Sequence, residues 1–375
     1  MKILFIVMRF GKDGLATNIL DLTKGMVEKG HQIHILTSGF KIKSSSNTVF
    51  FDQLKSDFQE LGVEMHYFNE PKGSSLKRGI NTIISFSKVI SKVKRINADV
   101  IHCHSPNMTF VPWLLGKKYV STVHADTITP NFRYKHPTLL ITVSQGSEEF
   151  TKRVMHSPGD SLRMVYHGID ERFAEIENPK NLLRLKEKEQ IPTHKLIIGV
   201  VGRITPMKGQ DVLVNAIGKY LTPELKEKIH IVLVGDYESN GSKEWFDAFL
   251  NEHNLQNQIT VLSFRDPKPY YQLFDVFVLP SRSDTFGLVA VEAMMSECCV
   301  IRSDSNGAYD QIQHGENGFI FPMDDEVELA KLLEKVLKSE ELRNTLGAAA
   351  KKTALEKFTK RQMISNTLEV YKELL

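Results

Sequence analysis

Two stretches of the chain repeat one local pattern: an apolar run, a glycine-containing loop, and a run of helical spacing. The first is Lys2 to Met8, then Gly11-Lys12-Asp13-Gly14, then a helix from about Ala16 to Lys29. The second is Leu196 to Val201, then Gly202-Arg203-Ile204-Thr205-Pro206-Met207-Lys208-Gly209, then a helix from about Gln210 to Tyr220. A short apolar run with no polar alternation reads as a strand buried on both faces, as in a parallel sheet covered by helices. Each stretch opens a succession of alternating strands and helices. The pattern therefore predicts two tandem doubly wound α/β domains. A chain of 375 residues is also too long for one ordinary core.

In the first domain, further strands are expected at Ile33–Thr37, Glu64–Phe68, Val100–His104, Val120–His124 and Leu139–Ser144, with Met164–Asp170 closing it. The polar stretch Lys41 to Asn47 reads as a mobile loop. The linker is expected near Glu177 to Asn181, which puts the domains at 1–178 and 179–357. Second-domain strands are expected at His230–Val234, Ile259–Leu262, Val276–Leu279, Cys299–Ile301 and Gly318–Phe321. Helices fill the tail, from Glu326 to Lys338 and from about Arg343 to Leu375.

Composition excludes several classes. With 41% hydrophobic and 25% charged residues the chain reads as globular rather than disordered or fibrous. A formal charge of +3 is too small to argue for nucleic acid. Cys103, Cys298 and Cys299 show no metal-ligand spacing and fit a reducing compartment. The apolar N-terminus is cut short by Arg9 and has no cleavage-type sequence, so it reads as a first strand and not a signal peptide. No apolar run approaches the ~20 residues of a membrane span.

The chemistry concentrates between Pro280 and Gly318. The strand at Val276–Leu279 runs into a polar loop, Ser281 to Phe286, then Gly287, then a helix from Leu288. Strand, tight glycine loop and helix start aim free N–H groups and a positive dipole end at one point, which suits phosphate. Asp284 and Glu292, with seven residues between them, flank those groups. Carboxylates there accept from neighbouring hydroxyls, as on a sugar. Arg203 and Lys208, on the loop after the first strand of this domain, could clamp a diphosphate. Taken alone they read as a solvated basic loop. No Asp-x-Asp occurs and no His/Asp cluster has metal spacing, so no metal or cofactor is expected.

Together these residues resemble the donor site of the retaining GT-B glycosyltransferases with an acidic-x7-acidic motif, glycosyltransferase family 4. The Gly-Arg-x4-Lys-Gly pattern at Gly202–Gly209 matches as well. Three positions depart from the family: Asp284 stands for Glu, Ser296-Glu297 for Cys-Gly, and Gly11-Lys12-Asp13-Gly14 for the commoner Gly-Gly. The resemblance implies two Rossmann-like domains facing each other across a cleft, the first for the acceptor and the second for the nucleotide sugar. It also implies that the segment 358–375 crosses back to the first domain. Arg203 and Lys208 would hold the donor diphosphate, Asp284 and His124 the sugar, and Glu292 the ribose. Gly14, Gly202, Thr285, Phe286, Gly287 and Leu288 would approach the phosphates, and Phe264 and Arg265 the base. His104 and Asp126 would face the acceptor, although core packing explains His104 equally well. The implied reaction is metal-independent transfer from a nucleoside-diphosphate sugar, UDP being favoured, to a hydroxyl of a cell-surface glycan or glycolipid.

Between Pro71 and Ala98 stand seven basic residues and no acid, interleaved with apolar ones at helical spacing. The plain reading is a core-packed helix with a charged outer face. The sharper one is a basic face, 72–95, resting on anionic lipid at the inner surface of the cytoplasmic membrane. A non-catalytic sugar-nucleotide-binding or membrane-associated module and a GT-B-fold epimerase remain the competing readings.

Overall fold

The computed structural model describes residues 1–12, 14–41, 45–70, 75–125, 131 and 133–375. Its strands form two all-parallel sheets. In the first, β1 (Lys2–Val7), β2 (Gln32–Thr37), β3 (Glu64–Tyr67), β4 (Val100–Cys103), β5 (Val120–Thr122), β6 (Leu139–Thr142) and β7 (Leu162–Met164) lie in the order β3-β2-β1-β4-β5-β6-β7. In the second, β8 (Leu196–Val201), β9 (Ile229–Val234), β10 (Ile259–Leu262), β11 (Val276–Leu279), β12 (Cys299–Ser303) and β13 (Phe319–Phe321) lie in the order β10-β9-β8-β11-β12-β13. Strand β1 shows why the strands read as unbroken apolar runs. Ile3, Phe5 and Val7 enter one buried cluster, while Leu4 and Ile6 enter another on the opposite face.

Contacts divide the chain into two compact units, residues 1–168 with 360–375 and residues 169–359. The expected boundary at 178 falls inside the second unit. Phe173 is buried with its ring edge-on to Tyr271. Arg172 makes a two-armed pair with Asp266, and Lys268 bridges Glu175 and Glu177. Asn178, read as linker, caps the helix Pro179–Lys188. That segment looked like a linker because its helix has no buried residue.

The long tail helix expected from Arg343 is two helices, Glu340–Lys357 and Lys360–Leu374. They break at Phe358, which is buried and whose carbonyl accepts the N–H of Ile169. The last helix returns to the first unit, where Met363, Ile364, Val370, Tyr371 and Leu374 join its core. Gly25 makes room for it: a Cβ there would lie 1.9 Å from Ile364 Cδ1. The loop expected at Lys41 to Asn47 is replaced from Ser45 by the helix Ser45–Glu60; residues 42–44 lie outside the described residues.

The helix Leu288–Met295 ends without the usual glycine. Glu297 takes the left-handed conformation, φ 66°, while its N–H bonds the carbonyl of Met294 and the N–H of Cys298 bonds that of Ala293, each at 3.0 Å. This is a Schellman ending with Glu in the glycine place.

Candidate active site

In a doubly wound sheet, ligands gather at the carboxyl ends of the strands where the order reverses. In the second unit that point lies between β8 and β11. The loop 202–209 leaves β8 and the loop 280–287 leaves β11, so Lys208 and Asp284 arrive together. Lys208 Nζ lies 2.8 and 2.9 Å from the two Asp284 oxygens. Both side chains are mostly shielded, so this pair is screened less than one in open solvent. Arg203, by contrast, is exposed and pairs with Glu238 at 2.6 Å. The close approach of the two loops rests on Gly209, φ 68°, where a Cβ would fall 1.9 Å from the Pro280 carbonyl oxygen.

Arg282 ties the loops to each other. Its Nη1 and Nη2 meet the two Asp211 oxygens at 2.9 and 2.7 Å, and its Nε meets Asp324 at 2.6 Å. Its backbone N–H bonds the Met207 carbonyl, and Nη1 also donates to the Pro206 carbonyl. The sequence reading passed over Arg282, whose signal is only its place within the loop.

Beneath the loop lies Arg302 on β12, with no exposed surface. Its guanidinium donates to the carbonyls of Phe286 and Asn306, each at 3.2 Å, and to the side chain of Gln311. Burial lowers this guanidinium to about 10, while Asp284 and Asp310 act in the opposite direction. Arg302 was missed too, because it follows the apolar run Cys299–Ile301 and reads as the start of a polar loop, whereas β12 runs on to Ser303. Gln311 Nε2 donates to the Phe286 carbonyl as well, at 2.6 Å. Phe286 is thereby locked, with its ring edge-on to Phe358. Gly287, φ 80°, then starts the helix Leu288–Met295 from the N-cap position, where it has no side chain to cap it. Thr285 stands beside this start in the loop and Leu288 is its first helical residue.

Glu292 is held from inside the domain. The buried Tyr271 donates its hydroxyl to Glu292 Oε2 at 2.7 Å, a second positioning contact that spacing alone did not reveal. Gly202, φ 143°, follows β8, and its carbonyl oxygen lies 2.0 Å from where a Cβ on Gly235 would stand. Phe264 carries an exposed ring, and its N–H bonds Asp236 at 2.9 Å. The Arg265 side chain is engaged with Glu189 and Tyr270, at 2.9 and 3.1 Å.

In the first unit, the carboxyl edge of the sheet carries a row of histidines. His104 Nδ1 and His124 Nε2 are 2.9 Å apart, and the His124 and His167 rings are parallel with centroids at 5.3 Å. Asn18 holds His167, and His102 sits between Tyr371 and Thr122, each at 2.7 Å. Burial pushes His102 down to about 3 and His167 to about 4, and His104 and His124 also lie well below the usual range. These rings are neutral at pH 7. His104, expected on the acceptor side, is buried against His124. Gly14 opens the helix Gly14–Glu28. Asp13 and Asp126 lie outside the described residues.

The comparisons with known proteins agree with this architecture. Residues 12–173 match the family described as Glycosyltransferase Family 4, and residues 183–353 match Glycosyl transferases group 1. The chain belongs to the GT-B glycosyltransferases of the family 4 type. It is 24% identical to a D-inositol 3-phosphate glycosyltransferase of Stackebrandtia nassauensis, over 90% of this chain and 82% of that one. It is 25% identical to an N-acetyl-α-D-glucosaminyl L-malate synthase of Bacillus anthracis, over 95% and 92%. Among solved structures, a glycosyltransferase from Rickettsia africae superimposes with a TM-score of 0.84 at 19% identity, covering 100% of this chain and 98% of that one. Anabaena HepE, solved with UDP, gives 0.82 at 19% identity over the whole of both chains.

Proposed function

We propose that this glycosyltransferase moves a sugar from a nucleoside-diphosphate donor, UDP-linked, to a hydroxyl of a cell-surface glycan or glycolipid, with retention and without a metal or other cofactor. The observation that carries the reading is the Lys208–Asp284 pair on the loops that lead to the glycine-capped start of the helix Leu288–Met295. A diphosphate oxygen placed at that start receives the N–H groups and dipole of the helix and competes with Asp284 for the Lys208 ammonium. Lys208 and Arg203 then carry the charge that builds on the leaving diphosphate. Asp284, released from the lysine, accepts from sugar hydroxyls. Glu292, fixed by Tyr271, accepts from the ribose diol, and the exposed Phe264 ring offers the base a face. With no protein nucleophile assigned, acceptor attack on the face the diphosphate leaves accounts for retention, the departing phosphate taking the acceptor proton. The UDP choice is supported by HepE, which was solved with that nucleotide.

The lipid side of the proposal rests on the first unit. No helix among the described residues is long and apolar enough to cross a membrane. The helix Ser75–Ile96 buries Val89, Val93 and Ile96 and carries Lys88, Lys92, Lys94 and Arg95. Lys72 and the side chains of Lys77 and Arg78 fall outside the described residues. Nearby, Trp113 and Leu114 are exposed, with Lys135 over the Trp113 ring at 4.7 Å. Cations beside an exposed indole fit an anionic headgroup layer, each worth about 1 kcal/mol near the surface. Equal sedimentation with neutral and anionic vesicles contradicts that part.

A thermal-shift panel of UDP-, GDP-, dTDP- and ADP-sugars in EDTA tests the donor. The reading expects UDP-sugars to stabilise the protein. No shift with any of the four, in a folded sample, moves the reading to a non-catalytic binding module.

A further inference from the structure

At the far edge of the first sheet, β2 and β3 bring three potential metal ligands to one spot. Glu64 and His66 alternate on β3 and so share a face, and His34 on β2 is the register partner of Glu64. His34 Nδ1 lies 3.1 Å from His66 Nε2 and 3.4 Å from Glu64 Oε2, and the last pair is 4.0 Å apart. Donors bound tetrahedrally at about 2.0–2.1 Å stand roughly 3.3–3.4 Å from one another. The three separations bracket that value. These residues belong to no step of glycosyl transfer described above.

We propose that His34, Glu64 and His66 form a binding site for a divalent cation of the zinc class, which clips the edge strand β3 to β2. Two imidazoles and one carboxylate suit zinc, and the fourth position falls to water because Glu64 and His66 reach solvent while His34 is buried. Gln32 Nε2 holds the second Glu64 oxygen at 3.3 Å, which orients the carboxylate. The cations facing the cluster, Lys2 and Lys92, are anchored on the carbonyls of Ile96 and Tyr67 rather than on Glu64.

The two ring nitrogens face each other with ring planes 19° apart. Without a metal, one N–H must lie between them. Binding shifts that proton to the other nitrogen of the same ring, with no net loss of a proton, and turns both facing lone pairs onto the cation. Sequence spacing hid the site because His34 lies on a different strand from Glu64-x-His66.

The test is zinc titration of the full EDTA-stripped chain, followed by calorimetry and thermal unfolding, for wild type, Glu64→Gln and His66→Gln. The expected result is one zinc per chain, a raised Tm, and affinity weaker by about tenfold or more in each variant. Both substituted side chains reach solvent, so the variants fold. Cobalt should give the visible absorption of a tetrahedral site in wild type only. Absence of zinc binding in the wild type overturns the proposal, as does equal affinity in all three proteins, which would place zinc on other histidines.

Discussion

A guanidinium without exposed surface is costly to bury, and Arg302 offsets that cost by organising the loop above it. Its arms hold the carbonyls of Phe286 and Asn306, and its charge lies under the start of the helix expected to receive phosphate. Arg302→Met removes one donor from each of those carbonyls, leaving Phe286 with that of Gln311, and should lower stability by about 2–4 kcal/mol in urea unfolding. Arg302→Lys, which keeps the charge but loses the fork, should fall between; an unchanged urea midpoint in the Met variant contradicts this role. The histidine row makes a second residue-scale prediction. His102 and His167 titrate near 3 and 4 in the folded protein, against 6.5 for an ordinary histidine. Between these values the unfolded chain binds more protons, so folding stability is complete above pH 6.5 and falls on acidification. The slope is about 1.4 kcal/mol per pH unit for each such histidine. Urea midpoints measured from pH 7 to 5 should fall accordingly, and less steeply in His167→Asn. A flat profile contradicts the buried neutral row.

Helix ends and helix crossings decide the second unit at the element scale. Gly347 on the helix Glu340–Lys357 packs on the turn after Leu288–Met295, where a Cβ would meet the Glu297 carbonyl oxygen at 2.2 Å. The obstacle is backbone and cannot swing aside. Gly347→Ala should therefore lower stability by about 1–3 kcal/mol, read as a drop in Tm, with Gly241→Ala as the open-site control. The strands were legible because the buried positions of β1 and β8 are apolar on both faces. The two glycine loops were legible because strand, glycine and helix start follow one another in sequence. What was hidden depends on contacts across sequence. Phe358 ends the tail helix through a bond to Ile169, and residues 177–181 read as polar linker because the helix Pro179–Lys188 turns no side chain fully inward. Tyr271 reaches Glu292 from a separate helix, so no motif could announce it.

For the whole molecule, the division of the chain matters more than its length. The first unit is completed by the last segment, whose Ile364 lies against Gly25 and whose Tyr371 bonds His102. A chain ending at Thr359 should lose the compact fold of residues 1–168 while residues 169–359 keep theirs, and limited proteolysis followed by mass spectrometry reads this directly. Equal protection of both units in the truncated chain contradicts it. The central claim, that the loops after β8 and β11 hold and activate a nucleotide-sugar, is tested most directly by turnover. The measurement is release of nucleoside diphosphate from the stabilising sugar nucleotide, in EDTA, by wild type and Lys208→Ala. Loss of one preorganised cation at the leaving group is expected to slow turnover by about 10²–10³-fold. Turnover by Lys208→Ala at the wild-type rate contradicts the account.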